Sequence, residues 1–433
     1  MSSFVIEGRV PLRGRHISPG NKNAALPMIA ATMLADSPVT LTNLPVIGDV
    51  KVMLELAESL GAKVDVDFAK RTATIDPTTL STTELPADLC AKVRTSILFA
   101  GPLLAKYGSA IMPNPGGDPI GQRPLDTHFH GLKKLGAEHN SDRGLFRFSA
   151  TGRLHGGVRI VQDEASVTAT ENLVMAAALA DGGQTEIYNA ACEPHVQNLC
   201  QMLVKMGANI EGIGTNRLLI TGVSKLSGAT CRIAPDYIET ASFIAAAAAT
   251  RGSIEIPDTE RDEFEILERP FARLGVRWRR DPASGLLRFD SEENGALQIA
   301  PGIFGAIPKI DDGIWPLTPS DVMSVLIILA TQAEGVVLFF EKMFESRMHF
   351  VDSLVSMGAQ IVQCDPHRIV VKGPAQLRGA RIQSPDIRAG MAMIIAGLCA
   401  EGTTTIGNAE SIDRGYENLE HSLTELGAKI RRE

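Results

Sequence analysis

The sequence predicts an α/β protein of two domains, each made of three copies of one unit whose central helices are buried. Three observations carry this. At 433 residues the chain exceeds what one hydrophobic core usually organises. A short phrase recurs six times, as LGAKV at Leu60, LGAEH at Leu135, MGANI at Met206, LGVRW at Leu274, MGAQI at Met357 and LGAKI at Leu426, with starts 68 to 83 residues apart. A second phrase stands upstream of five of them: LADSPVTLTNLP, LADGGQTEIYNA, ATRGSIEIPDT, TQAEGVVLFFEK and CAEGTTTIGNAE. Each of these reads as a helix end, a turn and a strand.

Between the two phrases runs an amphipathic helix, as in DVKVMLELAESLGA. There Val50, Met53, Leu54, Ala57 and Leu60 mark one face at helical spacing and Gly61 ends it. The helices before the turns are of another kind. ENLVMAAALA, TASFIAAAAAT and GMAMIIAGLCA are small and apolar nearly all round, which suits closely packed helices inside a domain. Each unit therefore reads as buried helix, strand, surface helix, strand. Short crossings near Gly20 and Arg232 join the domains, and residues 21–232 form the first. Repeats alone also suit a binding scaffold. These units are long and few, however, and their charged insertions are not repeated, so they serve something besides stacking.

The formal net charge of -8 argues against a protein that coats nucleic acid or an anionic membrane, so any anion site is local. The N-terminus MSSFVIEGRVPLRGRH lacks the layout of a signal peptide, and the apolar stretches are too short to span a bilayer, so a cytoplasmic protein is expected. Six cysteines (Cys90, Cys192, Cys200, Cys231, Cys364 and Cys399) lie scattered without a C-x-x-C pair, which predicts reduced, mostly buried thiols and no metal or disulfide.

Several residues are candidates for chemistry. In SPGNKNAALP, Lys22 stands beside Asn21 and Asn23 at a helix start, where unpaired N–H groups favour an anion; a surface lysine at a cap is the plainer reading. The loop PNPGGDPIGQRPLDTH carries Asp118 at its tip and Arg123 five residues on. His128 and His130, two apart on a helix, face away from each other and cannot chelate a metal. Arg347 in FESR, Arg388 in DIRAG and Arg414 in IDRGYE stand in apolar or structured surroundings. With Lys22 and Arg123 they would make a cationic site for a small dianion. Asp321 in TPSDVMSVLIILA reads by position as a helix N-cap.

GNKNAALP, PGGDPIGQRPLDTH, SVTATENLVMAAALADG, FESR, DIRAG and IDRGYENLEHSLTELGAKI resemble the UDP-N-acetylglucosamine enolpyruvyl transferases of the EPSP synthase-like family, from about residue 4 to the C-terminus. The resemblance implies two inside-out α/β barrel (prism) domains of three βαβαββ-type units. Residues 1–20 would complete the domain of residues 233–433, with the active site in the cleft between the domains. It also implies transfer of enolpyruvate from phosphoenolpyruvate to the 3-hydroxyl of UDP-N-acetylglucosamine in peptidoglycan precursor synthesis. No metal or organic cofactor is implied. EPSP synthases and the branch that uses uridine monophosphate share the fold, and a non-catalytic six-unit binding protein is the alternative of another class.

By the same resemblance Asp321 would be the base at the sugar hydroxyl, Lys22, Arg123 and Arg414 would hold phosphate, and Arg347 and Arg388 the carboxylate end. Pro124, Leu125 and Asp126 would surround uracil, Ser166, Val167 and Thr168 would lie near the diphosphate, and Asn23, Arg94 and Met343 would complete the sugar nucleotide site. Much of the family has a cysteine at the loop tip, assigned to proton donation at C3 and to product release. Here it is Asp118, which implies insensitivity to the epoxide fosfomycin. A free aspartate ionises near ~3.9, so Asp118 would act as an acid only when loop closure desolvates it. Two departures stand out: Glu164 where a basic residue is common, and WPLTPSD in place of FPTD. A monomer or weak homo-oligomer is expected.

Overall fold

The computed structural model describes residues 2–117, 120–259 and 261–433. Among these, one compact unit takes the residues up to Ser18, residues 120–122 and residues 235–433; the other takes residues 19–117 and 123–234.

In the unit of residues 19–234 the inner helices are Lys22–Ala31, Ala100–Tyr107 and Val167–Ala177. Their small side chains let them approach closely, and one approach depends on a missing side chain. A Cβ on Gly101 would lie 2.4 Å from the carbonyl oxygen of Asn172, so the second and third helices meet only through glycine. Amphipathic helices lie outside: Gly48–Ser59 buries Val50, Met53, Leu54 and Ala57, as expected, and Leu56 besides, with Leu60 buried just after it. Strand Val39–Thr42 pairs antiparallel with Thr72–Asp76, which pairs with Lys63–Asp67, and Thr230–Arg232 joins in parallel with Cys231 opposite Leu41. Arg159–Val161, Gln184–Tyr188, Asn209–Glu211 and Arg217–Thr221 repeat this pattern. The middle unit departs from the expected βαβαββ plan. Ser109–Pro113, Glu138–Asp142 and Leu145–Ser149 form three strands, with a single parallel bridge from Glu84 to Ile111 in the fourth place. There the chain turns at Pro86 into helix Ala87–Cys90, and proline has no N–H to extend a ladder.

In the other unit the helices Tyr237–Ala249, Ser320–Ala330 and Ile387–Cys399 each pack on the other two. All residues of Tyr237–Ala249 are buried, and the run Ala245 to Ala249 sets the close spacing. Strand Ser3–Glu7 lies antiparallel between Thr403–Gly407 and Lys429–Arg432, with Phe4 opposite both Ile406 and Arg432. The N-terminus thus supplies the inner strand of the last unit's sheet. The crossings exchange strands: Arg13–Arg15, which precedes the first inner helix, pairs with Ser253–Ile256, whereas Thr230–Arg232, which precedes Tyr237–Ala249, pairs with Val39–Thr42.

Most strands alternate buried with less buried residues, turning one face to the helices, whereas Glu138–Asp142 is exposed throughout. Helices inside and sheets outside is the predicted arrangement. The sheets stay separate in hydrogen bonding, so no closed barrel forms among the described residues. Nor is any described helix long and apolar enough to cross a membrane. Cys90, Cys192, Cys200 and Cys231 are buried and unbridged, Cys399 is half-buried and Cys364 exposed.

Candidate functional site

Lys22 opens its helix because Asn21, with extended backbone, caps it and accepts the Ala24 N–H at 3.0 Å. Lys22 is no surface lysine. It is 8% exposed, and its Nζ lies 2.8 Å from Oδ2 of Asp49 in the first turn of helix Gly48–Ser59. Asp49 gave no signal in the sequence, where it reads as an ordinary first-turn acid. Asn23 beside it is half-buried.

The turn Arg94–Phe99 packs on helix Lys22–Ala31, and Arg94 is its first residue. Its guanidinium donates to the carbonyl of Arg123. Burial, and then the charge of Arg123, lower the Arg94 pKa to about 10. Two cations crowded in this way favour an anion beside them. Gly117, at φ +123°, passes so close that a Cβ would lie 2.7 Å from Nη2 of Arg123 and 2.9 Å from Cβ of Arg94. Asp118 and Pro119 lie outside the described residues.

After the loop, Pro124 and Asp126 are exposed and Leu125 is buried. His128 is buried: Asn172 Nδ2 donates to its Nδ1 at 3.0 Å, so its Nε2–H donates to Thr168 Oγ1, also at 3.0 Å. Burial, and then Arg94, lower the His128 pKa to about 3, so it stays neutral and fixes Thr168. His130 is exposed, and no metal-binding cluster of His, Cys, Asp or Glu occurs among the described residues. Ser166 caps helix Val167–Ala177 by accepting the Ala169 N–H at 3.4 Å, and Val167 is half-buried. Glu164 is exposed.

In the other unit Asp321 is not a helix cap. Pro319 holds that position with no side-chain bond, and Asp321, one residue inside the helix, turns to two arginines. Its Oδ1 accepts from Arg347 Nη2 at 2.8 Å, and its Oδ2 from Arg388 Nη2 at 3.5 Å. The reason is electrostatic, because both arginines are 4% exposed and a buried cation needs an anion more than a helix start needs a cap. Arg388 is aimed by Asp386, which caps helix Ile387–Cys399 by accepting the N–H of Arg388 at 2.9 Å and of Ala389 at 3.0 Å. Its guanidinium lies 5.4 Å from the Tyr416 ring centroid. Burial would lower the Arg388 pKa, but Asp321, then Tyr416 and Asp236, outweigh it and the pKa is raised. Arg414 is half-buried just after helix Ala409–Asp413, and Met343 is exposed. Asp321, Arg347 and Arg388 thus form one cluster, to which sequence reading did not add Ser320, Asp386 or Tyr416.

The profile of the family EPSP synthase (3-phosphoshikimate 1-carboxyvinyltransferase) matches residues 6–423. The chain is 50% identical over 430 residues to the UDP-N-acetylglucosamine 1-carboxyvinyltransferase of Treponema denticola, covering 99% of each chain. It is 48% identical to the enzyme of that name from Bradyrhizobium diazoefficiens, covering 99% of this chain and 97% of the relative. Among solved structures it is similar to the enolpyruvyl transferase NikO from Streptomyces tendae, with TM-score 0.86, 24% identity and coverage of 100% of this chain and 98% of that one. It is also similar to EPSP synthase from Acinetobacter baumannii, with TM-score 0.75, 18% identity and full coverage of both chains.

Proposed function

The chain belongs to the EPSP synthase family, in the branch of the UDP-N-acetylglucosamine 1-carboxyvinyltransferases, and from that premise we propose that it transfers enolpyruvate from phosphoenolpyruvate to the 3-hydroxyl of UDP-N-acetylglucosamine, releasing phosphate. The observation that carries the site reading is the Asp321 carboxylate held by two buried arginines. Asp321 takes the proton of the sugar hydroxyl as its oxygen adds to C2 of phosphoenolpyruvate, and an acid protonates C3. The tetrahedral intermediate then expels phosphate as C3 gives a proton back, which restores the enol double bond in the product. Arg347 and Arg388 hold the carboxylate end, and Lys22, Arg123 and Arg414 hold phosphate, where fixed cations stabilise the charge that builds on the leaving group. Asn23, Arg94 and Met343, with Pro124, Leu125, Asp126, Ser166, Val167 and Thr168, serve the sugar nucleotide. This reading puts the enzyme in the cytoplasm as a monomer or weak homo-oligomer.

The test is phosphate release from phosphoenolpyruvate by purified protein, with UDP-N-acetylglucosamine, shikimate 3-phosphate or uridine monophosphate as acceptor. Release is expected with the sugar nucleotide alone. Release only with another acceptor moves the chain to that branch, and no release with any returns it to a binding protein.

Asp118 takes the role of the loop-tip acid, and a carboxylate in place of a thiol changes the response to an epoxide. Incubation with fosfomycin is expected to cause neither time-dependent loss of activity nor a covalent adduct by mass spectrometry, whereas an Asp118→Cys variant acquires both. An adduct on Asp118 of the unaltered chain would contradict this.

A further inference from the structure

Behind Arg347 lie two carboxyl groups that the reaction leaves unused, Glu341 and Asp312, both fully buried. Glu341 follows strand Gly335–Phe340. Its Oε1 accepts the N–H of Met343 and of Phe344, each at 3.2 Å, and so ties down the turn that leads to Arg347. The Ser320 hydroxyl donates to Glu341, at 3.0 Å from either oxygen, and accepts Nε–H of Arg347 at 3.3 Å. Nη2 of the same guanidinium holds Asp321.

On the far side, Asp312 Oδ1 accepts the Lys342 N–H, but its Oδ2 is buried without a hydrogen-bond partner among the described residues. Such an oxygen is costly to leave bare. A proton on the Glu341 carboxyl satisfies it, because Glu341 and Asp312 stand within side-chain hydrogen-bond reach and the O–H then donates to Asp312 while Oε1 still receives both backbone amides. Two carboxyl groups in one dry pocket do not both ionise. Burial, and then Asp312, raise the Glu341 pKa to about 9 against the opposing pull of Arg347 and Ser320.

We propose that Glu341 and Asp312 share one proton, and that this neutralised pair is a positioning element which, through Ser320, aims Arg347 at Asp321. Loss of the proton puts a new negative charge behind Arg347 that competes with Asp321 for the guanidinium. The catalytic half of this inference rests on the reading of Asp321 as the base. The other charged groups nearby are engaged elsewhere. Arg347 Nη1 is 4.0 Å from Asp386, Lys342 and Lys309 pair with Asp311, and His367 Nδ1 lies 2.7 Å from the Glu341 backbone carbonyl, not its carboxyl.

A Glu341→Ala variant should lower kcat for phosphate release, and Glu341→Gln, which keeps the shape and offers Asp312 a permanent donor, should restore it. In the unaltered enzyme kcat should fall about tenfold per pH unit above the pKa of the pair, and Glu341→Gln should lack that limb. Asp312→Asn removes the repelling charge and should move the limb to lower pH.

Folding stability supplies a second readout that needs no substrate. The folded pKa is raised, so the contribution of Glu341 is full below its unfolded value of 4.5 and is lost as pH rises toward about 9. Over that window the folding equilibrium constant should fall about tenfold per pH unit beyond the change shown by Glu341→Gln. An alkaline limb that is the same in all three proteins, or a pH dependence of stability untouched by Glu341→Gln, overturns the shared proton. A stability difference as predicted, in a protein that releases no phosphate with any acceptor, upholds the shared proton and overturns only the functional reading.

Discussion

Replacing Lys22 with alanine is expected to lower kcat for phosphate release by about 10²–10³-fold, the range for removing one fixed charge that faces a developing anion. Lys22 sits at a capped helix start with its ammonium 2.8 Å from Asp49, so it is held in place before any substrate arrives. The substitution also takes a cation away from Asp49, which is 5% exposed, and weakening the compensation of a buried charge destabilises the fold. The two effects separate in a second variant. Lys22→Ala combined with Asp49→Asn should regain most of the urea midpoint and none of the rate. Recovery of the rate would mean that Lys22 serves the fold alone.

Arg388→Ala should be the more damaging change to stability, by about 3 kcal/mol, the low end for breaking a buried ion pair, because the Asp321 side chain is 26% exposed and partly solvated. It removes one of the two cations on Asp321 and uncovers the face of Tyr416, a ring buried to 1% exposure. Arg388→Lys should recover part of the stability and little of the rate, since an ammonium does not reproduce the planar fork that reaches Asp321 while lying over the ring. Urea unfolding with kcat measured on the same preparations tests both parts. A stable Arg388→Ala enzyme with normal turnover would remove Arg388 from the site.

Much of this was readable in the chain. The recurrent LGA phrase and the all-apolar helices fixed the number and kind of units, because a helix without a polar face has nowhere to go but inside. Lys22 and Asp321 stand out in the sequence, where local pattern leaves a cap lysine as open as a site lysine and favours a cap aspartate. Both readings failed for one reason: their partners, Asp49 at 27 residues' distance and Arg347 and Arg388 at 26 and 67, are set by packing. Glu341 had no signal at all. In FFEKMFESR it looks like a charge at a strand end, and only burial, together with an Asp312 Oδ2 that has no hydrogen-bond partner among the described residues, gives it a proton.

By itself the sequence determined the repeat, the α/β class, the buried helices and the family, because these depend on periodicity and on motifs that are contiguous in the chain. Tertiary structure alone decided which sheets gained a fourth strand, that Ser3–Glu7 lies between Thr403–Gly407 and Lys429–Arg432 in its sheet, and which charges face one another. Those outcomes rest on contacts between residues up to hundreds of positions apart, and on a burial that turns ordinary acids and bases into paired or protonated ones.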